Sequence, residues 1–279
     1  MVFLFNRVAE VRIGKPGEEG LVINNLRTQF KIIKGKSTKT DNSFISIFNM
    51  NKDSRGFIEG EELDFILNVG YSDVNSGLKL HRVFSGDVTR AEHSKKGSDI
   101  ISKLIVIDKK EQANNTHIEE NFKEGTDTED ILKTVLKRYG LTSIGINRII
   151  NRIKDRGISQ LQKQTINGIS IFGNFKEVMN KILDRENLEW TINDGEVIVD
   201  NDTPDPTTAT VISKDTGMID IPIKREKGIE VISLIQEGLN VGRTIKIVSE
   251  FITGFFKIRQ VIYEGDTLDG KWQARMITE

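Results

Sequence analysis

The sequence predicts an α+β fold that is mainly β, laid out as β, then a small α+β module, then β again. Three observations predict it. Through residue 108, short runs rich in Ile, Val and Phe alternate with turn-forming stretches, as in a sandwich or barrel. Over 126–139 and 174–187 the apolar spacing switches to the helical period. Beyond Asp202-Thr203-Pro204-Asp205-Pro206-Thr207-Thr208, where two prolines and short polar residues resist helix and sheet, glycine-punctuated β runs resume. The expected division is 1–110, 111–201, a linker at 202–208, and 209–279.

In the first block, MVFLFNRVAEVRIG opens as a strand, with Val2 and Leu4 alternating against Phe3 and Phe5. Thr28 to Lys34 and Ser43 to Met50 read as strands around the polar tract Gly35 to Asn42. In the second of these, Phe44, Ser46 and Phe48 share one face and Ile45 and Ile47 the other. A turn or short helix follows at Asn51 to Phe57, then a strand from Leu63 to Tyr71. Val83 to Val88 and Ile100 to Ile107 form a long hairpin whose tip, Arg90 to Gly97, is too polar to be buried. A charged tip on a long hairpin suits contact with a neighbour, which makes Arg90, Glu92, Lys95 and Lys96 candidate inter-subunit residues.

The polar run 109–122 marks a boundary. Thr126 and Glu129 have capping-box spacing ahead of a helix carrying Ile131, Leu132, Val135, Leu136 and Tyr139 on one face, and Gly140 ends it. A second helix spans Asn174 to Asn187 and feeds a hairpin, Leu188 to Ile192 and Val197 to Val199, through Asn193-Asp194-Gly195. Between the helices the pattern is ambiguous, with a helical turn expected over Asn147 to Lys154. In the last block, Gly228 to Ile235, Arg243 to Ser249, Phe255 to Glu264 and Lys271 to Thr278 read as strands.

Composition bounds the chemistry. The chain has 279 residues, 29% charged and 37% hydrophobic, which suits a soluble globular protein. A formal net charge of −1 gives no case for nucleic-acid recognition or membrane binding. No cysteine is present, which removes disulfides, thiolate nucleophiles and Cys-ligated metals. The N-terminus lacks a basic segment ahead of its apolar start, and no apolar run approaches the ~18 residues of a membrane-spanning helix. Synthesis in a cytoplasm is expected. The sequons at Asn114 and Asn201 read as chance.

No catalytic pattern emerges. His81, His93 and His117 lack metal-ligand spacing, and His93 in the tip reads as solvated. Gly35-Lys36-Ser37 resembles the end of a phosphate loop, but Phe30 stands where its first glycine belongs. No Gly-x-Ser-x-Gly elbow exists. The carboxylate clusters Glu59-Gly60-Glu61-Glu62 and Glu119-Glu120 read as solvated turns. Trp190 and Trp272 sit in strand contexts and read as packing residues. The expectation is a non-enzyme without cofactor or metal.

Taken in order, the residues resemble a known family. Ser43 to Met50, Gly70-Tyr71 and Phe84-Ser85-Gly86-Asp87-Val88, then Phe122 to Thr126 and Gly173 to Leu183, follow the order seen in tail-hub proteins of contractile-tailed bacteriophages and phage-like particles, the late-control or baseplate-hub group. The last third carries Thr216-Gly217-Met218-Ile219, Gly228 to Val231, Gly238-Leu239, Gly242, Gly254 to Ile258, Gly265-Asp266 and Gly270-Lys271-Trp272 in the same order. Tyr263 departs from the pattern, which often has histidine there.

The resemblance implies two β-barrel domains akin to the tail-tube protein, with the small α+β module between them. It implies a homotrimeric ring that caps the six-fold tail tube, holds the central spike, and leaves a lumen for the tape-measure protein. Other baseplate subunits would be partners. The location would be the tail baseplate of a virion or of a phage-like particle such as a tailocin, a contractile injection system. An alternative from another class is a tail-associated cell-wall-binding or peptidoglycan-hydrolysing protein with the middle block as its active part. A single tube subunit would need far fewer residues.

Overall fold

The computed structural model describes residues 6–15, 17–35, 43–73, 77–108, 113, 115–155, 167–184, 188–194, 196–200 and 204–279. The Val2 to Phe5 alternation, the tract at 36–42, Gly195, both sequon asparagines and the start of the linker fall outside these residues. The chain divides into two compact units, one made of 1–108 with 203–279 and the other of 109–202.

The first unit is a large, almost wholly antiparallel sheet. Its strands are β1 (Arg7–Gly14), β2 (Leu21–Ile23), β3 (Thr28–Gly35), β4 (Ser43–Phe48), β5 (Asp64–Asp73), β6 (Gly77–Lys96) and β7 (Asp99–Asp108), with helix α1 (Lys52–Ile58) between β4 and β5. From the last block come β12 (Thr210–Ser213), β13 (Ile223–Lys224), β14 (Ile229–Leu234), β15 (Thr244–Val248), β16 (Thr253–Asp266) and β17 (Trp272–Thr278). The strand order is β13-β14-β17-β16-β3-β4-β7-β6-β5-β1-β2. β15 pairs with β16 and, in parallel, with β12.

The seam between the sequence-distant halves is β3 against β16, in register from Gln29↔Asp266 to Gly35↔Gln260. Burial alternates along the strands that flank it. On β17, Trp272, Ala274, Met276 and Thr278 face inward, and on β3 Phe30 and Ile32 do so beside them. One hydrophobic core collects side chains from both blocks, including Phe65, Phe84, Leu104, Ile245, Val261 and Met276. Burying each such side chain stabilises the fold by roughly 1.5–3 kcal/mol. The fold is mainly β, as expected. The pairings among the described residues form an open sheet, with none closing it into a barrel.

The second unit runs β8 (His117–Phe122), α2 (Thr128–Arg138), α3 (Ser143–Asp155), β9 (Ile169–Asn174), α4 (Phe175–Leu183), β10 (Glu189–Asn193) and β11 (Glu196–Asp200). β8 pairs with β9, and β10 with β11, both antiparallel. Its own core includes Leu132, Val135, Ile150, Val178 and Leu183. Phe175 sits at its centre, stacked on Tyr139 at 4.0 Å and met edge-on by Trp190 at 5.5 Å.

Three local expectations are corrected. The N-cap of α2 is Asp127, and Thr126 instead donates to the Lys123 carbonyl at 2.7 Å. Glu129 is held by Lys133 and Lys154, so the Thr126–Glu129 box does not form. A capping box occurs at α4, where Asn174 accepts from the Glu177 N–H and Glu177 accepts from the Asn174 N–H. The polar run 117–122 is a strand: its pairing with β9 needs backbone rather than apolar side chains, and Ile118 is its buried residue. The helical turn expected at 147–154 is part of the longer α3.

Candidate functional site

Two features of the first unit stand out, a charged hairpin and a clamp between distant segments. The first is the β6–β7 hairpin. Only Gly97 and Ser98 form its turn, and Lys96 pairs with Asp99. Gly97 has φ +63, the left-handed first position of a II′ hairpin turn. The expected tip, Arg90 to Gly97, is therefore mostly strand: a polar segment with no core to bury keeps its ladder, because backbone pairing does not depend on which side chains face water.

Two register shifts shape β6, between Leu67 and Asn68 of the β5 pairing and between Val88 and Arg90 of the β7 pairing. Such bulges turn a strand and re-aim its side chains. At the second, the Thr89 hydroxyl donates to the Ile105 carbonyl at 2.8 Å. The Val88 N–H donates to the carbonyl of Leu63, the residue just ahead of β5. Glycine is required in both family-like motifs. A Cβ on Gly86 would lie 2.0 Å from the Ile107 carbonyl oxygen, and one on Gly70 would lie 1.8 Å from that of Lys79.

Arg90 donates through Nε to Glu92 at 3.0 Å, while Lys95 and Lys96 are exposed beside the turn. The hairpin brings the four candidate residues onto one strand end. His93 is not simply solvated. It contacts the Ser102 hydroxyl at 3.0 Å through Nδ1 and the Glu59 carboxylate at 3.2 Å through Nε2. Asn49, at φ 60, braces the end of β7: its side-chain oxygen accepts from the Ile100 N–H and its amide donates to Asp99, each at 3.0 Å.

The second feature is a polar clamp on the seam, which sequence reading missed. Arg27 grips Asp266 with two hydrogen bonds, Nη2 to Oδ2 at 2.7 Å and Nε to Oδ1 at 3.2 Å. Gln29 donates to Oδ2 at 2.7 Å and the Leu268 N–H to Oδ1 at 2.9 Å. Burial alone would raise the Asp266 carboxyl, but the hydrogen bonds from Arg27, Gln29 and Leu268 and the Arg27 charge bring it down to about 2. Arg27 also lies 4.7 Å above the Phe48 ring, and Arg7 donates to the Gly270 carbonyl at 2.9 Å. The only hint in the sequence was Gly265-Asp266 among the family-like motifs.

The chemistry-bearing residues are dispersed. His81 is largely buried, and burial pushes it below the ordinary histidine range despite the charge of Glu237. His117 is exposed on β8, and Glu120 pairs with Arg138. Trp272 is buried beside Phe30, and Trp190 donates to Asn180 at 2.7 Å, so both act in packing. Among the described residues no group of three His, Asp or Glu side chains could hold a metal ion, and no helix is long and apolar enough to cross a membrane.

With this geometry in place, comparison with known proteins is decisive over most of the chain. Residues 22–264 match the family model described as baseplate hub gp41. The chain belongs to the baseplate hub family. No curated protein matches the sequence significantly. The fold of this hub-family chain is similar to two solved tail proteins. The 43 kDa tail protein of prophage MuSo2 from Shewanella oneidensis has a TM-score of 0.60 at 11% identity, over 97% of this chain and 98% of that one. The tail protein from Neisseria meningitidis MC58 has a TM-score of 0.58 at 10% identity, over 99% and 97%. A chain of the Francisella PdpA–VgrG complex shares the fold at a TM-score of 0.54 and 9% identity, over 98% of this chain and 58% of that one.

Proposed function

We propose that three copies of this chain close into a ring that joins the hexameric tail tube to the central spike in a phage or phage-like contractile particle. The observation that carries this reading is the match to the baseplate hub family over 22–264. Each chain would contribute two tube-like β-barrel domains, one from each β block, so that three chains imitate one six-fold tube layer. A closed ring satisfies subunit edges without leaving open ends. The similarity to a chain of a complex containing VgrG supports a spike as the partner on one face. The β6–β7 hairpin, with Arg90, Glu92, Lys95 and Lys96, would meet the next tube layer or a neighbouring baseplate subunit. The lumen would pass the tape-measure protein and then the cargo. The role is structural, not enzymatic.

The test is the native mass by light scattering, alone and after co-expression with tube and spike proteins. A trimer, or a monomer that becomes a trimer on its partners, supports the hub. A chain that stays monomeric with both partners present overturns it, as would clearing of cell walls in a zymogram.

A further inference from the structure

Eight of the thirteen exposed large hydrophobic side chains among the described residues fall within 204–279. Leu268 stands apart, and the other seven fall into two groups. One group lies on the solvent face of the β12-β15-β16 sheet. Val211 of β12 pairs with Lys246 of β15, which pairs with Phe255 of β16, and Val248 sits one step along β15 on the same face. The alternate residues Ile245 and Ile247 point into the core. A sheet face turned to solvent is ordinarily polar, and this one carries a run of apolar side chains.

Phe251, 66% exposed, stands in the β15–β16 turn at the end of these strands. The turn that displays it is well bonded. The Ser249 hydroxyl donates to the Ile252 carbonyl at 2.9 Å, and the Ser249 N–H donates to the same carbonyl at 3.0 Å. Lys246 lies 5.4 Å from the Phe255 ring, and Glu250 is exposed beside Phe251.

The second group is a strip along the outer edge of β14. Ile219, Ile221 and Ile223 are all exposed, while Pro222 between them is buried. The strip is ordered by the Ile219 N–H donating to Ile232 and by the pairing of Ile223 with Glu230. It carries exposed Asp220 at one end and exposed Lys224 at the other.

We infer that the strip at 219–224 of one copy packs on the β12-β15-β16 face of the next, so that the two patches are the two sides of one head-to-tail contact. Each patch holds one cation and one anion, which lets Lys246 meet Asp220 and Glu250 meet Lys224 as the isoleucines cover Val211, Phe251 and Phe255. Two unlike patches on one chain are each covered once when identical copies form a closed ring, whereas a two-fold dimer built on one patch leaves the other bare. The inference rests on the ring reading and specifies which surfaces make the ring.

The experiment uses charge swaps that leave net charge unchanged. K246E/E250K on the face and D220K/K224E on the strip are each expected to raise the assembly midpoint, followed by light scattering over a concentration series, by roughly tenfold or more. The combined four-residue variant should return it close to the wild-type value. Because the chain has no native cysteine, Ile221→Cys with Phe255→Cys should give an oxidation ladder ending at the closed ring, with neither single variant cross-linking. Thermal unfolding of each variant checks that the fold is retained.

A wild-type oligomer unmoved by either swap overturns this contact and leaves the ring reading intact, as does a dimer cross-linked through Phe255→Cys alone. A wild-type chain that binds tube subunits without ever bringing two copies of itself into one particle overturns the second copy as the occupant.

Discussion

At the scale of single residues, the seam depends on Asp266. Its carboxyl is held at about 2 in the folded chain, against an ordinary value of 3.8. The unfolded chain therefore takes up the proton first, so the stabilisation is complete above about pH 4 and drains away as pH falls toward 2. The difference is worth on the order of 2 kcal/mol. Asp266→Asn should lose about that much at pH 7 and little at pH 2, read as the gap between wild-type and variant urea midpoints across pH. Gly86→Ala should cost about 3 kcal/mol, because the new methyl must displace a paired carbonyl; thermal unfolding measures it. Gly86 was legible in the sequence as part of an ordered motif, and the approach of the Ile107 carbonyl is its reason. Arg27 was not legible, since its partner lies 239 positions away and an arginine in a loop carries no mark of what it will grip.

Elements show the same division between local and distant information. The helices α2 and α4 were legible because their apolar faces repeat within one turn of chain. Caps were less so, since Thr126 and Asn174 both have capping composition and only Asn174 closes the reciprocal pair. Asn174→Ala should lower the stability of the second unit by about 1 kcal/mol, while Thr126→Ala should change it by less than about 0.5 kcal/mol. Denaturant unfolding followed by Trp190 fluorescence separates the two. Strands that pair polar face to polar face escaped notice. In β8 and in the outer half of β6 the ladder is made by backbone groups, which no side-chain period reports. The candidate residues Arg90, Glu92, Lys95 and Lys96 were therefore expected on a loop and stand instead on a twenty-residue strand.

The whole molecule is less modular than its β, α+β, β order suggests. The outer blocks share one sheet through β3 and β16, and the middle block has a separate core. A fragment spanning 109–202 should fold alone with a cooperative thermal transition by circular dichroism. A fragment ending at 202 should keep that transition and lose the β signal of the first unit, because β3 then lacks its neighbour. Order along the chain was legible; which block pairs with which was not, since register between segments so far apart depends on the assembled sheet. The seam also imposes a timetable during synthesis. Gln29 emerges from the ribosome 237 residues before the Asp266 it binds. At roughly 5–20 residues per second, β3 waits on the order of 10–50 s with one edge bare, while the middle block has time to finish first. A nascent chain in that interval needs either a chaperone or a slow search, so growth at lower temperature should raise the soluble yield.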